Sequence, residues 1–300
     1  MPMIKTWFLE TRPQFLILSV ILVVYGSSIA FYQGYFNLTY FFIALVGSLA
    51  LHIAVNTFND YYDYKSGIDL NTTRTPFSGG SGILPQGILS PTKVFYFAIL
   101  NFLIGSSIGI YFIIVRGVSL LPIVILGGIF VYFYTTHLAK LMLGEISAGL
   151  GLGVLPVIGS YFVQTGFYSM QALVASIPAG ILTFNLLFLN EFPDYNADKR
   201  AGRKNFVILL GKKIAARLYS AISIFNYIFI GMSIIAGYLP YTALLAFLTL
   251  PEAIKAIKGA TINYDNIVKL IPSLGSNVKT VLGTQFLLAI SFIIARFLGI

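Results

Sequence analysis

The chain has 300 residues, of which 57% are apolar and only 10% charged, and its mean hydropathy is +0.87. Soluble domains carry roughly 25% charged residues, so this composition argues against water as the only solvent. The absence of cysteine excludes disulfides, thiolate metal sites and a cysteine nucleophile. The formal charge of +9 does not point to nucleic acid: no basic block tracks a phosphate backbone, and the basic residues lie in short loops between apolar runs.

A membrane-spanning helix needs roughly 20 apolar residues. Taken in chain order, apolar runs predict nine spans, near 14–32, 38–58, 93–115, 118–135, 146–164, 170–190, 214–237, 239–257 and 280–298. The first run, after MPMIKTWFLETRPQ, is too long for a signal-peptide core and is followed by further spans, so it reads as an uncleaved first helix. The eighth run is the weakest, because Pro251, Glu252 and Lys255 crowd its second half. The expected architecture is all-α: one polytopic membrane domain over residues 1–300, with about nine helices around a central cavity.

With nine spans, all of the 19 Lys and Arg except Arg116 and Arg296 fall on the side of the N-terminus. The positive-inside rule makes that side cytoplasmic, in the cell membrane. All ten acidic residues (Glu10, Asp60, Asp63, Asp69, Glu145, Glu191, Asp194, Asp198, Glu252 and Asp265) map to the same side. The rule does not require this, since acidic residues contribute little to topology. One face therefore carries the chemistry.

Six of those acids form two clusters. The first runs from Asn56 through Asn59, Asp60 and Asp63 to Asp69; positions 56, 59, 60 and 63 share one helical face. The second holds Asn190, Glu191, Asp194 and Asp198, with 190, 194 and 198 spaced by four. Each ends an even-numbered span at the same interface. Like charges on one face repel and call for a positive partner. Hard divalent cations prefer oxygen, and Mg²⁺ takes one or two carboxylates while keeping positions for water and phosphate. Either cluster alone reads equally well as a solvated helix end. The pair, in equivalent places on spans two and six, favours a site that holds a diphosphate through bridging Mg²⁺. The same placement suggests an internal repeat of spans 1–4 and 5–8 with a ninth helix added.

These residues resemble the UbiA superfamily of intramembrane prenyltransferases, which carries N-x-x-x-D at the end of its second helix and D-x-x-x-D at the end of its sixth. Asn59 to Asp63 and Asp194 to Asp198 match the two motifs. The resemblance extends to Arg12-Pro13, to the nine-span plan, and to Tyr134 and Lys140 after span four. Gly67-Ile-Asp69, Arg74 and Gly79-Gly80-Ser81-Gly82 look most like the branch that prenylates 1,4-dihydroxy-2-naphthoate for menaquinone. The resemblance implies Mg²⁺ held by Asn59, Asp63, Asp194 and Asp198 on a polyprenyl diphosphate. It also implies Arg74, Lys140, Lys199, Arg200 and Lys204 as partners of the diphosphate, and Tyr61, Tyr62 and Tyr134 as shields for an allylic cation. An electron-rich aromatic acceptor attacks that cation while the prenyl tail lies among apolar helices or membrane lipid. Other acceptors within the superfamily are 4-hydroxybenzoate, homogentisate and geranylgeranylglyceryl phosphate. Many members carry a further Asp where this chain has Gly67, and either Asp69 or Asp60 is a candidate for its role.

A secondary transporter is the rival from another class. Transporters place ionisable residues inside their spans near the midplane, whereas these spans are almost free of charge. A membrane alcohol phosphatidyltransferase groups its aspartates in one motif, and here they are split over two helices. His52, one turn before Asn56, reads first as a hydrogen-bonded neighbour of another helix. Asn101, Asn185 and Asn226 are expected to bond between helices, and Pro156, Pro178 and Pro193 to kink theirs.

Overall fold

The computed structural model describes residues 3–72 and 74–300, which contain helices and no strand. A short helix α1 (Met3–Glu10) leads into α2 (Pro13–Tyr32), α3 (Leu38–Lys65), α4 (Pro91–Arg116) and α5 (Leu121–Phe133). Next come α6 (Gly144–Gly149) and α7 (Leu155–Thr165), joined by a π-helical turn at Leu150–Val154. Then follow α8 (Met170–Arg200), α9 (Phe206–Leu210), α10 (Lys212–Ile235), α11 (Leu250–Asn263) and α12 (Ile267–Leu298). Side chains of Asn37, Ser90, Ser169, Asn205 and Asn266 cap the starts of α3, α4, α8, α9 and α12, each satisfying an amide that the helix itself leaves free.

Among the described residues, seven helical units are long and apolar enough to cross a membrane: α2, α3, α4, α6–α7, α8, α10 and α12. The fourth and eighth of the nine expected spans differ. The fourth is the shorter apolar segment Val118–Phe133. The eighth divides into a 3₁₀ stretch, Tyr241–Thr249, and α11. Pro251, in the first turn of α11, fits a helix start and not a helix interior.

The surface is apolar where a soluble protein's would be polar. Ile114, Ile235 and Leu248 are 77%, 88% and 69% exposed, while Asn226, Gln285 and Ser291 are fully buried. Lipid is the medium that suits this distribution. Tyr25, Ile29, Val157, Ala179, Leu288 and Phe292 form one core between α2, α7, α8 and α12. Phe188, Phe192, Tyr219, Ala256 and Leu274 form a second between α8, α10, α11 and α12.

Glycine sets the closest approaches. A Cβ on Gly153 would stand 2.7 Å from the Ala179 carbonyl oxygen and from Gly180 Cα, and one on Gly26 would collide with the Val157 carbonyl oxygen. Without a hydrophobic force between helices in lipid, such backbone contact is a main source of association. Pro156 lacks an amide hydrogen for the carbonyl of Leu152, and the chain departs from helical geometry at Leu152 (φ −112°, ψ 21°), as a proline-induced kink requires. At Pro178 and Pro193 α8 runs on without interruption, packed on α6, α10 and α12, and carries the second acidic cluster on one continuous helix. Asn185 bonds across helices, donating to Ser223 Oγ at 2.9 Å. Asn101 instead donates within α4 to Phe97 O, and neither amide atom of the buried Asn226 has a hydrogen-bond partner among the described residues. His52 pairs with Ser19 Oγ of α2 at 2.8 Å.

An N-terminal hook fixes one wall of the site. Arg12, between α1 and α2, has a left-handed backbone (φ 54°, ψ 60°), which is costly for a residue with a Cβ. Its guanidinium pairs with Asp60 and donates to Asn59 Oδ1 at 3.1 Å. Asp60 also accepts from Ser81 N at 3.0 Å, and Ser81 Oγ donates to Glu10 Oε2 at 3.0 Å. Thus α1, the end of α3 and the glycine loop are tied at one point.

Gly153→Val should lower the detergent-solubilised melting free energy by about 1–3 kcal/mol through overpacking, whereas Gly127→Ala, with nothing within 4 Å of the added Cβ, should leave Tm unchanged or raise it; equal effects in thermal unfolding would contradict this packing. Arg12→Ala strands Asp60, 1% exposed, and should cost about 3–5 kcal/mol. Adding Asp60→Asn should recover part of that loss in a double-mutant cycle, and additive losses would refute the pairing.

Candidate active site

A cavity of about 380 Å³ opens between the helices. Its deep part is apolar, with Leu51 and Val55 of α3, Ile108 and Phe112 of α4, and Val124 and Val131 of α5 in its wall. At one end the wall becomes polar: Arg12, Asn59, Asp63, Asp69, Tyr134, Asn190, Glu191, Asp194, Asp198, Arg203, Lys204 and Asn205 all line it. The ends of α3 and α8 face each other there.

Arg203 joins them. Its guanidinium pairs with Asp63 of the first motif, and its Nη1 lies 3.2 Å from Asp198 Oδ1 of the second. Its backbone amide donates to the Asp198 carbonyl at 3.0 Å, because Gly202 at φ +75° turns the chain back after α8. Asn59 Nδ2 donates to Asp63 Oδ2 at 2.9 Å and to Thr135 Oγ1 at 3.3 Å. Asn205 Nδ2 reaches Asp198 Oδ2 at 3.4 Å while its Oδ1 caps α9.

The carboxylates outnumber their partners. Asp69 Oδ2, Asp194 Oδ1, Glu191 Oε2 and Asn190 Oδ1 are buried without a hydrogen-bond partner among the described residues. Burial, reinforced by the Asp63 charge, pushes Asp69 up to about 6 against the opposing pull of Arg12, Arg203 and Arg74. Burial also pushes Glu10 up to about 7, opposed by the Ser81 hydrogen bond and Arg12. For Arg203, burial acts to lower the pKa, but Asp63 and Asp198 outweigh it and the net shift is upward. The guanidinium is therefore firmly charged where it sits.

Among the described residues no three His, Cys, Asp or Glu come together as a ready-made metal cluster. The donor set is nevertheless one that Mg²⁺ accepts: hard oxygens, several unpartnered, with one or two carboxylates available and the rest of an octahedron left for water and phosphate.

The residues singled out by sequence divide sharply. Asn59, Asp63, Asp194, Asp198, Asp69, Tyr134 and Lys204 line the cavity. Asp60 does not: it is turned towards Arg12 and Ser81. Arg74 lies outside as well, in a second cavity of about 350 Å³ beside α1, donating to Gly80 O at 3.2 Å and to Ser81 O. A Cβ on Gly82 would overlap that guanidinium, and one on Gly80 would come 2.7 Å from Asp69 Oδ2, so the glycines let the loop close over both. Lys140, Lys199 and Arg200 are exposed, with Lys199 over the Tyr195 ring. Tyr61 and Tyr62 pack on Phe95 and Phe58, outside the cavity wall, because helical rotation carries positions 61 and 62 off the face shared by 59 and 63. Arg203 and Asn205 are absent from the sequence-based set, and Arg12 entered it only as part of the resemblance, without a role in the site. Arg203, five residues past Asp198 and after a glycine, was the readable signal.

Residues 19–262 match the UbiA prenyltransferase family. The chain is 31% identical over 290 residues, 96% of its length and 92% of the relative's, to the 1,4-dihydroxy-2-naphthoate octaprenyltransferase of Bacillus subtilis. It is 24% identical to the 2-carboxy-1,4-naphthoquinone phytyltransferase of Synechocystis, over 85% of this chain and 82% of that one. Two solved structures share the fold. A UbiA homolog from Aeropyrum pernix in its apo form superposes with a TM-score of 0.72 at 17% identity, over 94% of this chain and 98% of that one. A UbiA homolog from Archaeoglobus fulgidus bound to DMAPP and Mg²⁺ superposes with a TM-score of 0.65 at 15% identity, over 95% and 99%. Together with the two acidic motifs at the mouth of one apolar cavity, these likenesses identify the chain as a multi-pass membrane enzyme that transfers prenyl groups and belongs to the UbiA prenyltransferase family.

Proposed function

We propose that the enzyme transfers a polyprenyl group from polyprenyl diphosphate to 1,4-dihydroxy-2-naphthoate, with Mg²⁺, in menaquinone biosynthesis. The observation that carries this reading is the meeting of Asp63 and Asp198, from motifs 135 residues apart in sequence, across a single guanidinium at the mouth of the apolar cavity. The B. subtilis and Synechocystis relatives support a naphthoate-type acceptor.

Asn59, Asp63, Asp194 and Asp198 are the residues that would hold the metal, and Asp69, not Asp60, is the spare carboxylate within reach of the cavity. Mg²⁺, when bound, supplies charge neutralisation for the departing diphosphate. Lys204 and Arg203 add positive charge beside it. The allylic C–O bond breaks with its electron pair leaving on the diphosphate, and a ring carbon of the acceptor forms the new C–C bond. The ring carboxylate leaves as CO₂, its electron pair staying with the ring. Tyr134 presents an aromatic ring to the cavity and can face the developing cation. The apolar wall from α3, α4 and α5 holds the prenyl chain and keeps out water, which would quench that cation.

Nine membrane passes in the cell membrane, as two four-span halves and a final helix, with the N-terminus and site cytoplasmic, complete the reading. The eighth pass has the reach: the nine residues of Tyr241–Thr249 at about 2 Å each and the 14 of α11 at about 1.5 Å each extend roughly 39 Å, beyond a hydrocarbon core of about 30 Å.

Purified enzyme given Mg²⁺, geranylgeranyl diphosphate and a panel of acceptors should prenylate the dihydroxynaphthoate. Chelation with EDTA should stop turnover and added Mg²⁺ restore it. Asp63→Ala and Asp194→Ala should each lower kcat by about 10²-fold or more. Full activity in either variant, or product from none of the acceptors, would overturn the assignment.

A further inference from the structure

The position of Arg203 has a consequence beyond charge compensation. It is the cation between the two motifs, its side chain only 16% exposed, against Asp63 and Asp198 side chains at 7% and 4%. Any metal held by Asp63 and Asp198 together has to take the place of that guanidinium. A guanidinium pushed off two buried carboxylates, still largely out of water, is an unpaired buried charge and is strongly unfavourable. It needs a new acceptor close by. A diphosphate supplies one, because the planar fork of an arginine matches phosphate oxygens bidentately. The loop geometry permits the exchange: Arg203 follows Gly202 at φ +75° and is anchored by its backbone amide on Asp198 O, so its side chain can turn while its Cα stays.

We propose that Arg203 is a built-in placeholder cation that clamps Asp63 to Asp198 in the unloaded enzyme and moves to the diphosphate as the metal takes its place, so that metal and diphosphate bind cooperatively. This rests on the metal–diphosphate reading of the site. It makes Arg203 a diphosphate-binding residue that disfavours a metal without its anion. Asn205 and Asn59, uncharged donors to Asp198 and Asp63, keep the carboxylates in place when the clamp opens.

The test is Mn²⁺ binding, followed by electron paramagnetic resonance on the full chain in nanodiscs, with and without geranylgeranyl thiodiphosphate. In the unsubstituted enzyme the thiodiphosphate should tighten Mn²⁺ binding about tenfold or more, within the usual range of coupling between sites. In Arg203→Gln, Mn²⁺ alone should bind several-fold tighter and most of the enhancement by thiodiphosphate should vanish. Arg203→Lys, which keeps the charge without the fork, should retain weak binding of Mn²⁺ alone and lose part of the enhancement. Mn²⁺ affinity in a folded Arg203→Gln equal to or below that of the unsubstituted enzyme would overturn the proposal, as would Mn²⁺ binding that ignores thiodiphosphate in all three proteins. Binding is read without turnover. A failure to prenylate any acceptor, with the coupling intact, would therefore count against the assigned reaction and leave the clamp standing.

Discussion

The structure depends on how two sets of carboxylates, on helices whose ends face each other in an apolar medium, are kept from driving those helices apart. In a low-dielectric surrounding their repulsion is far stronger than in water, and desolvation adds to it. Two arginines meet most of this demand. Arg203 stands between Asp63 and Asp198, and Arg12 stands against Asp60 and Asn59. The features that shape the site follow from seating those guanidinium groups: the left-handed backbone at Arg12, the glycine turn before Arg203, and the loop that closes over Asp69. Arg74 belongs to the same scheme one layer out, where it holds the carbonyls of that loop.

Compensation is incomplete. Asp194, Asp69 and Glu191 each keep a buried oxygen without a partner among the described residues, although buried polar atoms are paired almost everywhere in native proteins. Such groups cost stability, and a cluster of them at one cavity mouth is a place that a ligand could complete. These three line the cavity mouth, where a divalent cation would find hard oxygen donors. Asp60, paired with Arg12, and Glu10, bonded to Ser81 through Oε2 while its buried Oε1 has no partner among the described residues, lie outside the cavity wall. The first cluster thus divides between the cavity wall and the N-terminal hook, and the division falls between Asp60 and Asp63, only three positions apart.

Much of this was legible in the sequence. Apolar run length located every long helix. The spacing of Asn59 and Asp63 on α3, and of Asn190, Asp194 and Asp198 on α8, put each set on one face, because helical periodicity is a local property. The proline-bearing segments were less legible. Pro156 sits after a real departure from helical geometry, whereas Pro178 and Pro193 lie in an unbroken helix, a difference that residue type alone does not give. The same holds for Tyr61 and Tyr62: their aromatic chemistry suited the cavity, but rotation about α3 gave them to Phe95 and Phe58. Asp60 shows the limit most clearly. Spacing placed it with Asn59 and Asp63, and a tertiary partner 48 residues away, Arg12, drew it out of the cavity.

The weak fourth and eighth apolar segments occupy equivalent places if the chain is read as two four-span halves. Each follows a long, strongly apolar helix, α4 or α10, and each is short or 3₁₀-helical where the other spans are long. A short helix or a 3₁₀ stretch has fewer or poorer main-chain bonds to hold it than a long α-helix. The fourth segment contributes Ile123, Val124, Gly127, Gly128 and Val131 to the cavity wall. Gly127 and Gly128 lie there with little or nothing near an added Cβ. Open space beside a short helix is what a wall needs if a bulky isoprenoid chain is to enter from the side, and the long helices that carry the carboxylates need not move to admit it.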